Sequence, residues 1–268
     1  MELLAKSNPQ VTLRQHIEDG LRILACLKTC FPKAPTIAAA PAFWELLRIC
    51  VVLHDSGKGH AEFQKVLALE KSNNWNSQRH ELFSLSFVQA CLQGHEALEL
   101  VGRVVAGHHK TMRWLNDHIA TQYAEPEDFE KEFRQVAIGA VTKILEDLDV
   151  QVSTEVKSFY PKKIVAPYWA ECRDDCITDR NLLLLLTGAF KQCDHLSSAF
   201  VEKVDVLPLS RFVFLEKKRA DLQAEGKDFF THQQKAAEEK RSLIATAPTG
   251  AGKTESALLW LRQQIETH

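Results

Sequence analysis

The sequence has no apolar run approaching the roughly 18 residues that cross a bilayer; its longest leucine run, Leu182 to Leu186, is followed at once by Thr187 and Gly188. The N-terminus, MELLAKSNPQ, lacks the basic stretch and apolar core of a secretory leader. A cytoplasmic protein without a membrane segment is expected. There is no CxxC spacing among the seven cysteines, and Cys26, Cys50, Cys91 and Cys193 fall inside apolar helical patterns, as small buried residues do. Cys172 and Cys176 could share a helix face, but a structural zinc needs a third and fourth thiolate nearby. An excess of one charge sign is missing too: 33 Lys and Arg against 35 Asp and Glu leave a net charge of -2. A nucleic-acid partner must therefore be argued from a site, because the overall field is not basic. Internal repeats, low-complexity tracts and strand-like alternation are absent or scarce.

What is present is the composition of an ordinary globular protein, 45% hydrophobic and 25% charged over 268 residues, enough for one large domain or one domain and part of another. Residues 10 to about 200 read as successive helices. Leu13, Ile17, Leu21 and Leu24 recur at helical spacing after Thr12, a candidate N-cap. Ala42 to His54 is apolar almost all round, the mark of a central buried helix. Ala61 to Leu69, Glu81 to Leu92, Ala97 to His109, Phe129 to Leu148 and Asn181 to about Phe200 continue the pattern. The expectation is a mainly α bundle over 1–205. A surface connection follows over 206–228, including DVLPLSRF and the charged KKRADLQAEGKD. Over 229–268 a short apolar strand, a glycine-containing loop and a helix come in the order of a phosphate loop.

The bundle carries ligand-type side chains at helix ends and on inner faces. His54 and Asp55 stand side by side where Ser56-Gly57 ends the apolar helix; adjacent residues on a helix point about 100° apart, so the two line a cavity without chelating face-on. His16 shares the inward face of Leu13 and Ile17. His80 opens a helix, His108 and His109 close one, and Asp194 sits in the last long apolar helix. Taken singly, each reads most simply as a hydrogen-bonded core group or a cap, and His60, His95, His118, His195, His232 and His268 keep that reading. Several buried imidazoles and carboxylates in one small domain are costly, however, unless a cation compensates them.

His16, the His54-Asp55 doublet with Gly57-Lys58, His80, the His108-His109 pair and Asp194 follow in order the pattern of the HD metal-dependent phosphohydrolase superfamily. HDSGKGHAEFQ, AGHHK and CDHLSSA resemble, more closely, the HD nuclease domain of the CRISPR-associated nuclease-helicase of type I interference systems, over about residues 10 to 200. The resemblance implies an HD-domain helical bundle with two metal ions. One would be held by His16, His54, Asp55 and Asp194, the other by His80, His108 and His109, with Asp55 bridging. Imidazole-rich ligation suits manganese, iron, nickel, cobalt or zinc better than magnesium. The implied chemistry is phosphodiester hydrolysis on single-stranded DNA, catalysed with Asp55 and with Lys58 meeting a phosphate oxygen or the departing charge. The implied partner is a CRISPR RNA-guided surveillance complex. A hydrolase of nucleotides or cyclic nucleotides, and a nucleotide-binding regulatory module with an inactive pocket, are the alternatives.

APTGAGKT, residues 247 to 254, is a Walker A loop in the form that begins with alanine. Thr249, Gly250 and Gly252 would shape the phosphate cradle, Lys253 would reach the β and γ phosphates, and the Thr254 hydroxyl would bind magnesium. APTGAGKTE resembles motif I of a superfamily 2 helicase, and Gln233 or Gln234 resembles the adenine-reading glutamine of such enzymes. The chain ends 14 residues past the loop, without an acidic Walker B segment or a second RecA-like half. The expectation is the truncated start of a RecA-like α/β helicase domain, in which ATP and magnesium act only in a full-length protein.

Overall fold

The computed structural model describes residues 2–72, 75, 78–165, 177–204 and 212–267. The chain divides into two compact units, Met1–Val204 and Asp205–His268. Among the described residues no helix is long and apolar enough to cross a membrane.

The first unit opens with an antiparallel hairpin, β1 (Leu4–Ser7) and β2 (Gln10–Thr12). Strands of four and three residues hold too little alternation to be read from sequence; this one forms because Leu3, Ala5 and Val11 enter the core. Helix α1 (Leu13–Cys30) starts as predicted at Thr12, whose Oγ1 accepts from Gln15 N at 3.1 Å. Its buried stripe carries His16 inward among Leu13, Ile17, Gly20 and Ile23. After the short α2 (Ala34–Ile37) comes α3 (Phe43–Leu53), in which Leu47, Cys50, Val51, Val52 and Leu53 are all buried. Each such leucine or valine contributes about 1.5–3 kcal/mol relative to exposure, so the end of α3, which leads into His54, is firmly anchored. A 3-10 turn follows over Ser56–Gly59.

The remaining helices of this unit are α4 (Ala61–Leu67), α5 (His80–Leu92), α6 (Leu98–Ala106), α7 (Met112–Gln122), α8 (Pro126–Phe133), α9 (Ile138–Asp147), α10 (Lys162–Val165) and α11 (Ile177–Ser198). α11 packs on α1, α3 and α6, while α5 packs on α6 and the 3-10 turn. The unit is the mainly α bundle expected. The single helix expected over Phe129 to Leu148 is instead two, α8 and α9. Between them Ala61 N donates to the Gln135 carbonyl and Ala137 N to the Gly59 carbonyl, both at 3.0 Å. This pairing with the segment after the 3-10 turn overrides local helix propensity.

The second unit contains α12 (Val213–Ala224), α13 (Thr231–Glu238) and α14 (Lys253–Thr267) around a small cluster of Phe212, Leu215, Phe229 and Leu259. The stretch KKRADLQAEGKD, expected as a surface connection, is largely helical, because Leu215 ties α12 into that cluster. Most of DVLPLSRF, residues 205–211, lies outside the described residues, as do Cys172 and Cys176. The strand expected before the glycine loop is not formed: Leu243 and Ile244 lie in irregular chain, Ile244 94% exposed. A lone strand has no neighbour to satisfy its backbone groups.

Candidate metal centre

The seven side chains singled out by pattern converge. His16 of α1, His54 at the C-cap of α3 and Asp194 of α11 bring ligand atoms within 4.8 Å of one another, and so do His80 of α5 with His108 and His109 after α6. Asp55 lies between the two groups and is buried. Its Oδ2 stands 3.2 Å from His16 Nε2 and 3.2 Å from His54 Nε2. Its Oδ1 stands 3.2 Å from His80 Nε2 and 3.9 Å from His108 Nε2. Asp194 Oδ1 completes the first group, 3.5 Å from His16 Nε2 and 3.8 Å from His54 Nε2.

Local hydrogen bonds set which ring nitrogens are bare. His54 Nδ1 donates to the Val51 carbonyl at 2.8 Å, and His108 Nδ1 donates to the Val105 carbonyl. A carbonyl only accepts, so in both rings Nδ1 carries a proton and Nε2 is the nitrogen turned toward Asp55. His80 Nε2 and His108 Nε2 lie 3.3 Å apart. Burial, then the His109, His54 and His80 charges, push the His108 imidazole well below its ordinary pKa, which keeps it neutral. Burial pushes the Asp55 carboxyl upward, but the His54 and Lys58 charges and the His16 contact outweigh it and hold the group well below the usual carboxylate range. His54 Nε2 and Asp55 Oδ1 are buried without a hydrogen-bond partner. Several imidazole nitrogens turned toward an ionised carboxylate, one of whose oxygens has no hydrogen-bond partner, form a donor set that fits divalent cations.

Lys58 is 9% exposed. Its Nζ lies 2.6 Å from Asp55 Oδ2 and donates to the Ala5 carbonyl at 3.2 Å, so the ammonium serves as the carboxylate's counterion within the protein. Three residues that sequence reasoning missed support the centre. Ser84 Oγ donates to the His54 carbonyl at 2.7 Å and accepts from Gly57 N at 2.9 Å, which ties the doublet's turn to α5. Ser84 lies four residues past His80, on the same helix face, and that spacing was its only signal. Phe190 sets its ring edge-on to His54 at 5.2 Å and to His108 at 5.9 Å. Lys6, on the unforeseen hairpin, lies among the charges of Lys58, Asp194 and Asp55. His60, left aside by pattern, is buried and caps α4, its Nδ1 accepting from Glu62 N at 3.2 Å.

In the second unit Gly250 and Gly252 take φ values of 82° and 72°, the left-handed region that glycine enters freely. A Cβ on Gly252 would meet Gln233 Nε2 at 2.2 Å. Lys253 Nζ donates to the Ala247 carbonyl at 2.7 Å and the Pro248 carbonyl at 3.1 Å. Gln233 Nε2 donates to the Gly252 carbonyl at 3.0 Å, whereas Gln234 donates to the Phe229 carbonyl at 2.8 Å, so of the two glutamines Gln233 is the one that touches the loop. Thr249 and Thr254 are exposed. Glycines, lysine and threonine are the residue types of a phosphate cradle, and no strand supports the loop among the described residues.

A curated relative, the CRISPR-associated nuclease/helicase Cas3 of Methanothermobacter thermautotrophicus (strain Delta H), is 24% identical over 258 residues, covering 80% of this chain and 31% of its own length. The chain thus spans about a third of that relative. The model of a protein family described as Cas3, HD domain, matches residues 2–200, a span that holds both ligand groups, Asp55 and Lys58. With that match running through most of the 268 residues, the chain belongs to the Cas3 HD-domain family.

Proposed function

We propose that the chain is a metal-dependent nuclease that cuts single-stranded DNA, the nuclease portion of a longer CRISPR nuclease-helicase. The observation that carries this reading is the position of Asp55, with one carboxylate oxygen turned to His16 and His54 and the other to His80 and His108. His16, His54 and Asp194 would hold one ion and His80, His108 and His109 a second, with Asp55 shared between them. Such ions, when bound, polarise a phosphodiester and acidify water. The imidazole-rich donors favour manganese, iron, nickel, cobalt or zinc over magnesium. The chain's own residues position and screen. The Nδ1 bonds of His54 and His108 keep Nε2 of both rings turned inward, and the Phe190 ring packs edge-on against both. Lys58, paired with Oδ2 of Asp55, would meet an anionic phosphate oxygen or the departing charge.

The loop from Ala247 to Thr254 would hold ATP and magnesium in a protein that also supplies the rest of a RecA-like domain. That domain would feed a single strand made available by a CRISPR RNA-guided surveillance complex, in the cytoplasm. The test is cleavage of circular single-stranded DNA by metal-stripped protein, with each transition metal or magnesium added back and Asp55→Ala run in parallel. Cutting that returns with a transition metal and vanishes in the variant supports the reading. Absence of cutting with every metal refutes it, and cyclic nucleotides become the substrates to try.

A further inference from the structure

Two exposed aromatic rings in the first unit lie beside cations whose chain neighbours belong to the centre. Trp114, on α7, is 41% exposed, although Leu115 and Ile119 of the same helix are buried. The Arg79 guanidinium lies over its ring at 5.5 Å, the Lys110 ammonium at 5.2 Å, and the His118 ring stacks on the indole at 4.9 Å, so a base at Trp114 takes the place of one of these neighbours. Arg79 directly precedes His80, and Lys110 directly follows His109. The His80 and His109 rings are 5.1 Å apart, so both cations come from residues that flank the His80, His108 and His109 group in the chain. Arg79 is also held by Glu81, at 2.6 Å.

On the other group the arrangement recurs. Phe200 is 51% exposed and follows Asp194 by six residues, and the Lys6 ammonium lies over its ring at 5.0 Å. Lys6 adjoins Ala5, whose carbonyl takes the Lys58 ammonium. Phe200 also occupies an unfavourable backbone position. Its φ is 57°, and Val201 N donates to the Leu196 carbonyl at 2.9 Å while Phe200 N donates to the Ser197 carbonyl at 3.1 Å. That is a Schellman closure of α11 with phenylalanine at the left-handed position where glycine is preferred. A bulky, solvent-facing ring kept at a strained position points to use by a ligand.

We propose that Trp114 with Arg79 and Lys110, and Phe200 with Lys6, are two stations that stack bases and hold phosphates of a single nucleic-acid strand on either side of the metal groups. The proposal rests on the nuclease reading above and adds the path of its substrate. Aromatic faces accept any base, so the stations confer grip without sequence preference. They also supply locally the positive charge that a chain of net charge -2 does not supply overall.

The test is fluorescence anisotropy of a labelled oligothymidine with the metal-stripped full chain, comparing wild type, Trp114→Ala, Trp114→Phe and Phe200→Gly, with thermal unfolding of each. Trp114→Ala and Phe200→Gly are each expected to lose roughly tenfold in affinity, and Trp114→Phe to regain most of it. Phe200→Gly is expected to unfold at the same temperature as wild type or higher, since glycine relieves the left-handed strain, which separates loss of grip from loss of fold. Unchanged affinity in both Trp114→Ala and Phe200→Gly, in a protein that still cuts single strands, overturns the stations and leaves the nuclease reading standing. A wild type that neither binds nor cuts single strands overturns both.

Discussion

Gly57 lies so close to His80 that a Cβ on the glycine would meet the His80 carbonyl oxygen at 2.0 Å and the Ser84 amide at 2.8 Å. The turn that carries Asp55 and the first turn of α5 therefore touch backbone to backbone, and this contact sets His80 Nε2 against Asp55 Oδ1. Gly57→Ala forces the two apart. It is expected to cost about 1–3 kcal/mol of stability, as overpacking does, and to lower the metal content of the purified protein. Thermal unfolding with and without chelator, together with elemental analysis, checks it; wild-type values in both would mean that the turn has room to shift.

Lys58 is the nearest cation to a buried, ionised Asp55. Lys58→Met removes it, and the metal-free variant is expected to lose about 3 kcal/mol, the scale of a buried pair broken on one side. A divalent transition metal should restore most of that loss by taking over as counterion. Denaturant unfolding with and without metal reads both arms. A deficit that metal does not reduce would show that Lys58 acts by packing.

His60 is buried away from the ligand groups, stacked on Phe83 at 5.1 Å, and burial pushes its imidazole from 6.5 down to about 4. Between those two values the unfolded chain takes up a proton that the folded chain refuses. Stability is therefore full above pH 6.5 and falls as pH drops toward 4, by up to about 1.4 kcal/mol per pH unit for one such group. His60→Asn keeps an acceptor for Glu62 N and does not titrate there. Its unfolding temperature should be lower overall but should change less between pH 6.5 and 4 than that of wild type; equal slopes would remove His60 as a source of acid sensitivity.

Lys253 belongs to the second unit, which has its own small core. Lys253→Ala is expected to leave metal-dependent cutting of single-stranded DNA within about twofold of wild type, since no step assigned to the centre uses the loop. A tenfold loss in the initial rate would tie the loop to nuclease function.

The candidate ligand residues stood out by where they fall in the helical pattern, His16 on an apolar stripe, His54 and Asp55 at the end of a buried helix and His80 at the start of another, while their division into two metal sets came from the resemblance. The resemblance implied that Asp55 is shared between the groups, but not the Gly57 contact and the Ser84 hydrogen bonds that orient it, because these join the turn to a different helix. The hairpin that brings Lys6 to the site was too short to show alternation. The break at Gln135 and Ala137 comes from pairing with Gly59 and Ala61, more than 70 residues earlier in the chain, which no local window contains. The strand read at Leu243 and Ile244 has the apolar residues of a strand but no partner to pair with among the described residues.

The central claim is that Asp55 serves both ligand groups, and metal titration of stripped protein by calorimetry, with elemental analysis of the products, tests it directly. Wild type is expected to bind two ions per chain, and Asp55→Ala to lose affinity for both while remaining folded. An Asp55→Ala protein that keeps one ion at wild-type affinity would contradict the account, since Asp55 would then serve a single group.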